Sequence, residues 1–594
     1  MALSDLPKKP NIVFLITDQQ TSVPFMDPEW AAANLPAMNR LRQNGLSFER
    51  AHCNSCTCSP SRATLFTGMF PAHHKVTQVL EYDQPNNNKQ LGQQILPGNY
   101  QTMAKMLKAA GYNVAYKGKF HLNKPVGFFP ACQNGDKEDS KPEINGQLYW
   151  SQADVKNIAD NYGFDEWTYP DAGDDAAVPN FGGGDFNNDG RFVDGGGQSA
   201  RYGGSIPTDE LEKASALHYL RHYRERHGEK PFFLVVSLVN PHDVLSYPGT
   251  AGAAIREEGE EGKGTPRYRY AGYSLDQFKK IPVTLPSTRN EDLWTKPTVQ
   301  EKWRQLCQEA GPINSDPEGE KYLQFYAYLT SLADQEIMKV LNALDEHHFT
   351  DKTLIVRISD HGDMAMAHGW QRQKMYNVYR ETLNVPMIFS NPLAFKPHAT
   401  NEVFKPQTTQ ALAGLIDLMP TIADIVGVNP ADWTFQGKSL KPVLENPGAE
   451  VQDYVHYTYD DDYVTTDPPQ EMGPSHIRCI VEKNWKYAVY FDPHYGQAAQ
   501  FEMYDLVNDP EEASNLAAPG TPLAPAAANS SDVPLERTRL HRRLTEVMEK
   551  LGTKPDSVVW PPDHAPSAED IGLLGVGNPT PTSQSETSSS TLPP

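Results

Sequence analysis

The sequence predicts an α/β fold: a large domain with a mostly parallel mixed sheet between helices, then a smaller C-terminal α+β domain. Three observations carry this. Short apolar runs rich in β-branched residues alternate with amphipathic stretches of helical period across residues 11–426. Residues 232–239 are apolar almost without interruption, as a central strand covered on both faces requires. Beyond residue 430 the alternation gives way to neighbouring short strands followed by one helix.

In order, residues 11–17 read as a buried strand with Asp18 at its end, and residues 36–44 as a helix stopped by Gly45. A helix is expected over 100–110, where Met103, Met106, Leu107 and Ala110 form one stripe, then a strand over 112–116. Thr208 or Asp209 would cap a helix carrying Leu211, Leu217 and Leu220. A long helix follows over 320–346, a strand over 353–358 ending just before Asp360, and a strand over 385–389. Residues 412–426 read as helical, with Pro420 bending or splitting them. Residues 476–490 and 501–506 read as short antiparallel strands, and 535–551 as a helix. The expected division is a large domain over 8–430, a small one over 431–560 and a disordered tail rich in Pro, Ser and Thr over 561–594. Residues 125–205 form a weakly patterned insert, rich in Gly, Asp and Asn, expected at the mouth of the site.

The formal charge of −22 argues against a nucleic-acid partner, which selects basic surfaces. A local cationic pocket for a small anion remains compatible with it. No apolar run reaches membrane-spanning length, so no membrane partner is expected. The opening residues do not read as a secretory signal, which makes the cytoplasm the default location. Six cysteines in 594 residues are too few for a disulfide framework.

Ligands of open α/β sheets sit beyond the carboxyl ends of strands. Asp18, Lys119, His242 and Asp360 all follow expected strands, so residues far apart in sequence are predicted to meet at one edge. The most informative stretch is Cys58-Ser59-Pro60-Ser61-Arg62, followed by Thr67-Gly68. Pro60 suits the first turn of a helix, which places Cys58 at a helix N-terminus, and Arg62 lies one turn on as a fixed cation. A buried structural thiol, or a soft-metal cluster of Cys53, Cys56 and Cys58, is the competing reading.

This motif matches C-x-P-S-R followed by T-G, and the chain resembles the type I sulfatase family of the alkaline phosphatase superfamily over most of residues 10–520. The resemblance implies an alkaline phosphatase-like large domain and a sulfuric ester hydrolase. It implies that a formylglycine-generating enzyme oxidises Cys58 to formylglycine. One hydroxyl of the hydrated aldehyde would attack sulfur, and the second would let sulfate leave. Asp18-Gln19 and Asp360-His361 match the family's metal-binding pairs, with Cys58 facing the same ion. The ion would be Ca²⁺ first, with Mn²⁺ or Mg²⁺ as alternatives; the imidazole favours Mn²⁺ more than an all-oxygen site does. Gln19 and His361 depart from the commonest family pattern and resemble the choline-sulfatase and phosphonate monoester hydrolase branches.

By the same resemblance, Lys119 in Gly118-Lys119-Phe120-His121 contacts sulfate, and His121 accepts the nucleophile's proton. His242 in Asn240-Pro241-His242-Asp243, together with Lys374, holds sulfate oxygens and helps protonate the leaving group. Residues 71–76, with His74, and the pairs around Trp485 and Tyr504 echo the family without chemistry of their own. Asp185 to Gly190 resembles the start of a calcium loop but lacks the closing Glu, so a polar turn is expected. Asp460 to Asp462, flanked by Tyr457, Tyr459 and Tyr463, reads as a solvated acidic loop, or as an aromatic site for a quaternary ammonium group. The expected reaction is hydrolysis of a small sulfate monoester. The alternatives are a phosphonate monoester or phosphodiester hydrolase using the same nucleophile, and a non-catalytic binding protein with an unmatured Cys58. The oligomeric state, a homo-oligomer included, is open.

Overall fold

A computed structural model of the chain describes residues 3–80, 94–124, 127–128, 148–149, 152–168, 171, 189–195, 212–247, 275–395, 406–461, 472–493, 497–518, 532–555 and 560–561. Its strands are β1 (Asn11–Asp18), β2 (Gly45–His52), β3 (Asn113–Gly118), β4 (Gly127–Phe128), β5 (Leu148–Tyr149), β6 (Asp165–Thr168), β7 (Phe232–Pro241), β8 (Thr353–Ser359), β9 (Met387–Ser390), β10 (Gln407–Gly414), β11 (Tyr454–Tyr459), β12 (His476–Glu482), β13 (Trp485–Phe491) and β14 (Gln500–Asp505). Eight of them form one sheet in the order β10-β2-β9-β8-β1-β7-β3-β6. Only β9 runs against its neighbours; the other pairings are parallel. The mostly parallel mixed sheet is therefore as expected.

Strand alternation explains why both faces are covered. Ile12, Phe14 and Ile16 point into one core with Phe233, Val235, Leu354 and Val356. The helices Cys58–Thr67, Met103–Ala109 and Leu418–Val426 add Leu65, Phe66, Met106, Leu107 and Ile422 to that core. Val13 and Leu15 point the other way, with Leu234 and Val236. There they meet Met38 and Leu41 of Pro36–Gln43, Leu220 of Ala216–His227, and Ile337 and Leu341 of Asp316–Glu346. A strand buried on both sides has no polar face to show, which is why β7 is continuously apolar.

Strands β11 to β14 make a second, antiparallel sheet. Its Ile477, Cys479, Ala488 and Tyr490 join the large core. The alternate Ile480, Tyr487 and Val489 pack under Leu540, Leu544 and Met548 of the helix Asp532–Leu551. This is the small α+β unit foreseen after residue 430. No helix among the described residues is long and apolar enough to cross a membrane.

Several local expectations need correction. Gly45 does not merely end a helix; it opens β2, where an added Cβ would stand 2.6 Å from the carbonyl oxygens of Leu41 and Phe389. Leu412 to Gly414 belong to β10, and the helix that follows starts only at Leu418, with Pro420 inside its first turn. Apolar runs at strand-to-helix junctions carry no change of period, so the boundary was invisible. The helix bearing Leu217 and Leu220 is capped by Ser215, whose side chain accepts from His218 N; residues 208–211 lie outside the described residues. The acidic, Tyr-rich segment is neither a solvated loop nor an ammonium site over its described length. Tyr457 and Tyr459 are fully buried in β11, and Asp460 pairs with Arg478 at 2.6 Å. Asp462 and Tyr463 lie outside the described residues, as do Asp185 to Asn188, Cys132, most of the 125–205 insert and residues 562–594.

Candidate active site

Four adjacent parallel strands deliver the site. Their order, β8-β1-β7-β3, sets Asp360, Asp18, His242 and Lys119 side by side at the carboxyl edge. Gly118 ends β3 at φ +101°, and a Cβ there would fall 2.0 Å from the Ser237 carbonyl oxygen. Only glycine lets the backbone turn Lys119 toward β1 this close to β7.

Cys58 is the first residue of the helix Cys58–Thr67, all ten residues of which are buried. Thr57 provides no side-chain cap, so the helix entry is held from elsewhere. Ser61 Oγ donates to the Asp360 carbonyl, at 2.5 Å. Arg62, one turn after Cys58 on the same face, is the hub. Its Nε donates to Asp360 Oδ2 at 2.8 Å and its Nη2 to Asp18 Oδ2 at 2.9 Å. Nη1 donates to the Lys119 carbonyl at 2.7 Å and to Ser237 Oγ at 2.8 Å. A planar guanidinium thus locks two strand-end carboxylates and the β3 exit into one frame.

Lys119 Nζ stands 2.8 Å from Asp18 Oδ2. Burial opposes charge on this lysine, but Asp18 and Cys58 raise its pKa above the ordinary range. Burial likewise pushes Asp18 up, yet Lys119, His242, Arg62 and His361 together hold its carboxyl well below the usual value. The Cys58 Sγ lies 3.1 Å from His361 Nε2 and 3.6 Å from Asp18 Oδ1. The other His361 nitrogen, Nδ1, meets the Gly362 carbonyl at 2.9 Å. A carbonyl can only accept, so Nδ1 carries a hydrogen and Nε2 is the nitrogen that faces Cys58 and the carboxylates. Asp18, Cys58, Asp360 and His361 each offer one ligand atom, all within 4.8 Å of one another and all buried. Two oxygens and an imidazole nitrogen in that space fit a divalent cation.

The remaining expected residues gather around this cluster. Lys374 Nζ donates to Gln19 Oε1. His242 is almost fully buried; burial, then Lys119 and Lys374, drive its pKa well below the ordinary imidazole value. His121 is depressed in the same way, by burial and then Lys119. Its Nε2 meets the Leu80 carbonyl at 2.7 Å, and the Leu80 N–H donates to Ser59 Oγ at 3.1 Å. His121 therefore reaches the nucleophile motif through Leu80. Cys53 and Cys56 pack in the large core, with burial raising both thiols, and the group of ligand atoms that could hold a metal among the described residues takes Cys58 with Asp18, Asp360 and His361 instead. His74 Nε2 faces Thr64 Oγ1 of the Cys58 helix at 3.1 Å.

Residues 10–428, well over half of the chain, match the family model for sulfatases. The chain belongs to the sulfatase family. As a sulfatase it is a sulfuric ester hydrolase. Residues 367–522 also match the model described as N-sulphoglucosamine sulphohydrolase, C-terminal. The N-acetylglucosamine-6-O-sulfatase of Bacteroides thetaiotaomicron is 25% identical over 86% of this sulfatase and 83% of its own length. Among solved structures, a 2-O GAG sulfatase superposes with a TM-score of 0.58 at 19% identity, covering 94% of this chain and 98% of its own. The phosphonate monoester hydrolase of Agrobacterium radiobacter gives 0.55 at 17% identity, covering 91% and 96%. The two structures share the fold.

Sequence reasoning missed three residues of this site. Asp171 accepts from the backbone N–H groups of Phe120 and His121 at 2.8 and 2.6 Å, and burial lifts its carboxyl to about 6. Tyr326 donates to the Gln19 carbonyl and accepts from Thr21 N at 2.9 Å. Asp363 binds the Gln19 side chain at 2.6 Å. Asp363, three residues past Asp360, was the one within reach of inspection; the other two lie far from any motif.

Proposed function

We propose that this sulfatase hydrolyses sulfate monoesters to an alcohol and inorganic sulfate, using formylglycine made from Cys58 and one divalent cation. The observation that carries the reading is the meeting of Cys58, Asp18, Asp360 and His361 within 4.8 Å, with Lys119 beside Asp18 and Lys374 beside Gln19. The Cys58 Sγ marks where the formylglycine oxygens would stand. Asp18, Gln19, Asp360 and His361 would hold the cation, which polarises a sulfuryl oxygen when bound. Ca²⁺ is the first choice, with Mn²⁺ or Mg²⁺ as alternatives.

Lys119, Lys374 and His242 then hold the remaining sulfuryl oxygens. Their fixed charges face the place where negative charge grows, in a buried site where such contacts are strong. Arrival of an anionic ester among the two lysines offsets the charge that depresses His242, bringing it toward a state able to donate a proton to the leaving oxygen. His121 accepts the nucleophile's proton through Nδ1, because Nε2 is committed to Leu80. Arg62 touches neither ester nor leaving group; it holds the ligands in place.

Chelation followed by single-ion addition tests the cation. Activity should fall by on the order of a hundredfold or more and return with one divalent ion. Activity that survives exhaustive stripping removes Asp18 and Asp360 from the chemistry. A phosphonate monoester or phosphodiester hydrolase is the second reading, favoured by the shared fold of the Agrobacterium enzyme. kcat/KM for a sulfate monoester should exceed that for a phosphodiester of the same leaving group, and the reverse order would select the second reading. Sulfated amino sugars belong first in a substrate panel, because the N-acetylglucosamine-6-O-sulfatase matches 86% of the chain.

The proposal requires a formylglycine-generating enzyme as a partner. An intact-mass measurement on the Cys58 peptide separates a matured enzyme from a binding protein that retains the thiol. We place the protein in the cytoplasm, a reading supported by Cys53, Cys56, Cys307 and Cys479 standing as buried thiols in a chain with few cysteines.

A further inference from the structure

We propose that Asp363 is a positioning residue that fixes which end of the Gln19 amide faces the cation cluster. This rests on reading Gln19 as a cation ligand. The Gln19 backbone is held in the left-handed region at φ +65°. Its N–H donates to Asp360 Oδ1 at 3.1 Å, and its carbonyl accepts from Tyr326. The side-chain Nε2 donates to Asp363 Oδ2 at 2.6 Å and to Gln373 Oε1 at 3.3 Å. Its Oε1 accepts from Lys374 Nζ.

An amide has a donor end and an acceptor end of nearly equal size, and its neighbours decide which way it points. Here the neighbours leave no choice. The Asp363 oxygens already accept from Tyr322 OH, Ala365 N and Gln373 N, so they meet Gln19 as acceptors, whereas the Lys374 amine meets it as a donor. The oxygen, the end a hard cation requires, must face the Lys374 side.

Asp363 is itself held still. Tyr322 OH donates to its two oxygens at 3.0 and 3.1 Å, Ala365 N to Oδ1 at 2.7 Å and Gln373 N to Oδ2 at 3.1 Å. Met364 N also donates to the Gln373 carbonyl at 2.8 Å, closing the neck of the loop that carries Lys374. One carboxylate therefore sets both the amide and the loop. The carboxyl group that an acidic residue at position 19 would place beside the cation stands one hydrogen bond further out, on Asp363.

The test uses metal-stripped full-length protein titrated by calorimetry with Ca²⁺ alone and with Mn²⁺ alone, alongside thermal melting of each variant. Asp363→Asn is expected to weaken ion binding by roughly 10- to 100-fold, as loss of a ligand's supporting partner does. Gln19→Glu adds a carboxylate but sets it against Asp363, so it is expected to weaken binding by about tenfold rather than tighten it. The exchange variant Gln19→Glu/Asp363→Asn restores a donor facing an acceptor and should return to within about threefold of wild type. A residue that merely supports the fold gives no such rescue. If Asp363→Asn does not fold, Tyr322→Phe removes a donor from Asp363 instead. It should weaken ion binding in the Gln19 protein and leave a Gln19→Ala variant unmoved. An exchange variant no better than the worse single variant overturns the proposal, as does equal weakening in both backgrounds. Wild-type protein that binds neither ion, nor Mg²⁺ in the same titration, overturns the cation reading and this proposal together, whereas wild-type binding left unmoved by Asp363→Asn overturns this proposal alone.

Discussion

Cys58→Ala is expected to lower kcat/KM for a sulfate monoester by on the order of 10⁵-fold or more, the scale seen when a covalent nucleophile is removed. The fold should survive. Cys58 is buried at the first turn of its helix, but Arg62 and Ser61 hold that helix to the strand ends, and their contacts remain. Truncating one sulfur leaves a small void, so stability should change by only about 1 kcal/mol. The informative companion is Cys58→Ser. A single hydroxyl can attack sulfur, but no second one remains to release the sulfate, so turnover should stop after one slow event with the ester left on residue 58. Steady-state rates, thermal melting and the mass of the residue-58 peptide read the three expectations together. Near-native turnover by Cys58→Ala would end the assignment of the nucleophile.

Arg62→Met carries the second large effect. The variant keeps much of the length and bulk but removes the fork that reaches Asp360, Asp18, the Lys119 carbonyl and Ser237 at once. Asp18 and Asp360 would then share a buried space without the guanidinium, with Lys119 still on Asp18 and the Gln19 and His361 N–H groups still on Asp360. Breaking a buried pair by deleting one partner typically costs about 3–5 kcal/mol. Activity should fall by roughly a hundredfold or more, because the same contacts aim the charges of the site. Arg62→Lys should recover little, since one ammonium cannot bridge two carboxylates and a carbonyl with fixed geometry. A divalent ion should return part of the lost stability by binding the freed carboxylates in the folded state. Urea unfolding with and without the ion measures this. An Arg62→Lys protein with wild-type stability and rate would show that the fork is dispensable.

The two effects separate what is local from what is not. Cys58 is legible because its chemistry depends on its neighbours in sequence: Pro60 in the first turn, and Arg62 one turn on. Asp18, Lys119, His242 and Asp360 are legible for a related reason. Each follows a run whose composition marks a strand, and strand ends are where α/β sheets hold ligands. The reversal of β9 left no such mark, because a parallel and an antiparallel strand buried on both faces have the same composition. Strand β11 was hidden for the opposite reason, since acidic residues at its end made a buried strand look like surface.

By itself, then, the sequence determined the α/β class, the motif at Cys58, and the residues that stand at the carboxyl edge. Those features are written in periodicity and in spacings of a few residues. Only the tertiary structure decided that one guanidinium joins Asp18 to Asp360, that Leu80 comes between His121 and the motif, and that Asp363 orients Gln19. Asp18 and Asp360 are 342 positions apart in the chain, as are the register partners Thr17 and Ser359. Their meeting is set by strand order and register, which are properties of the packed sheet and of no single segment.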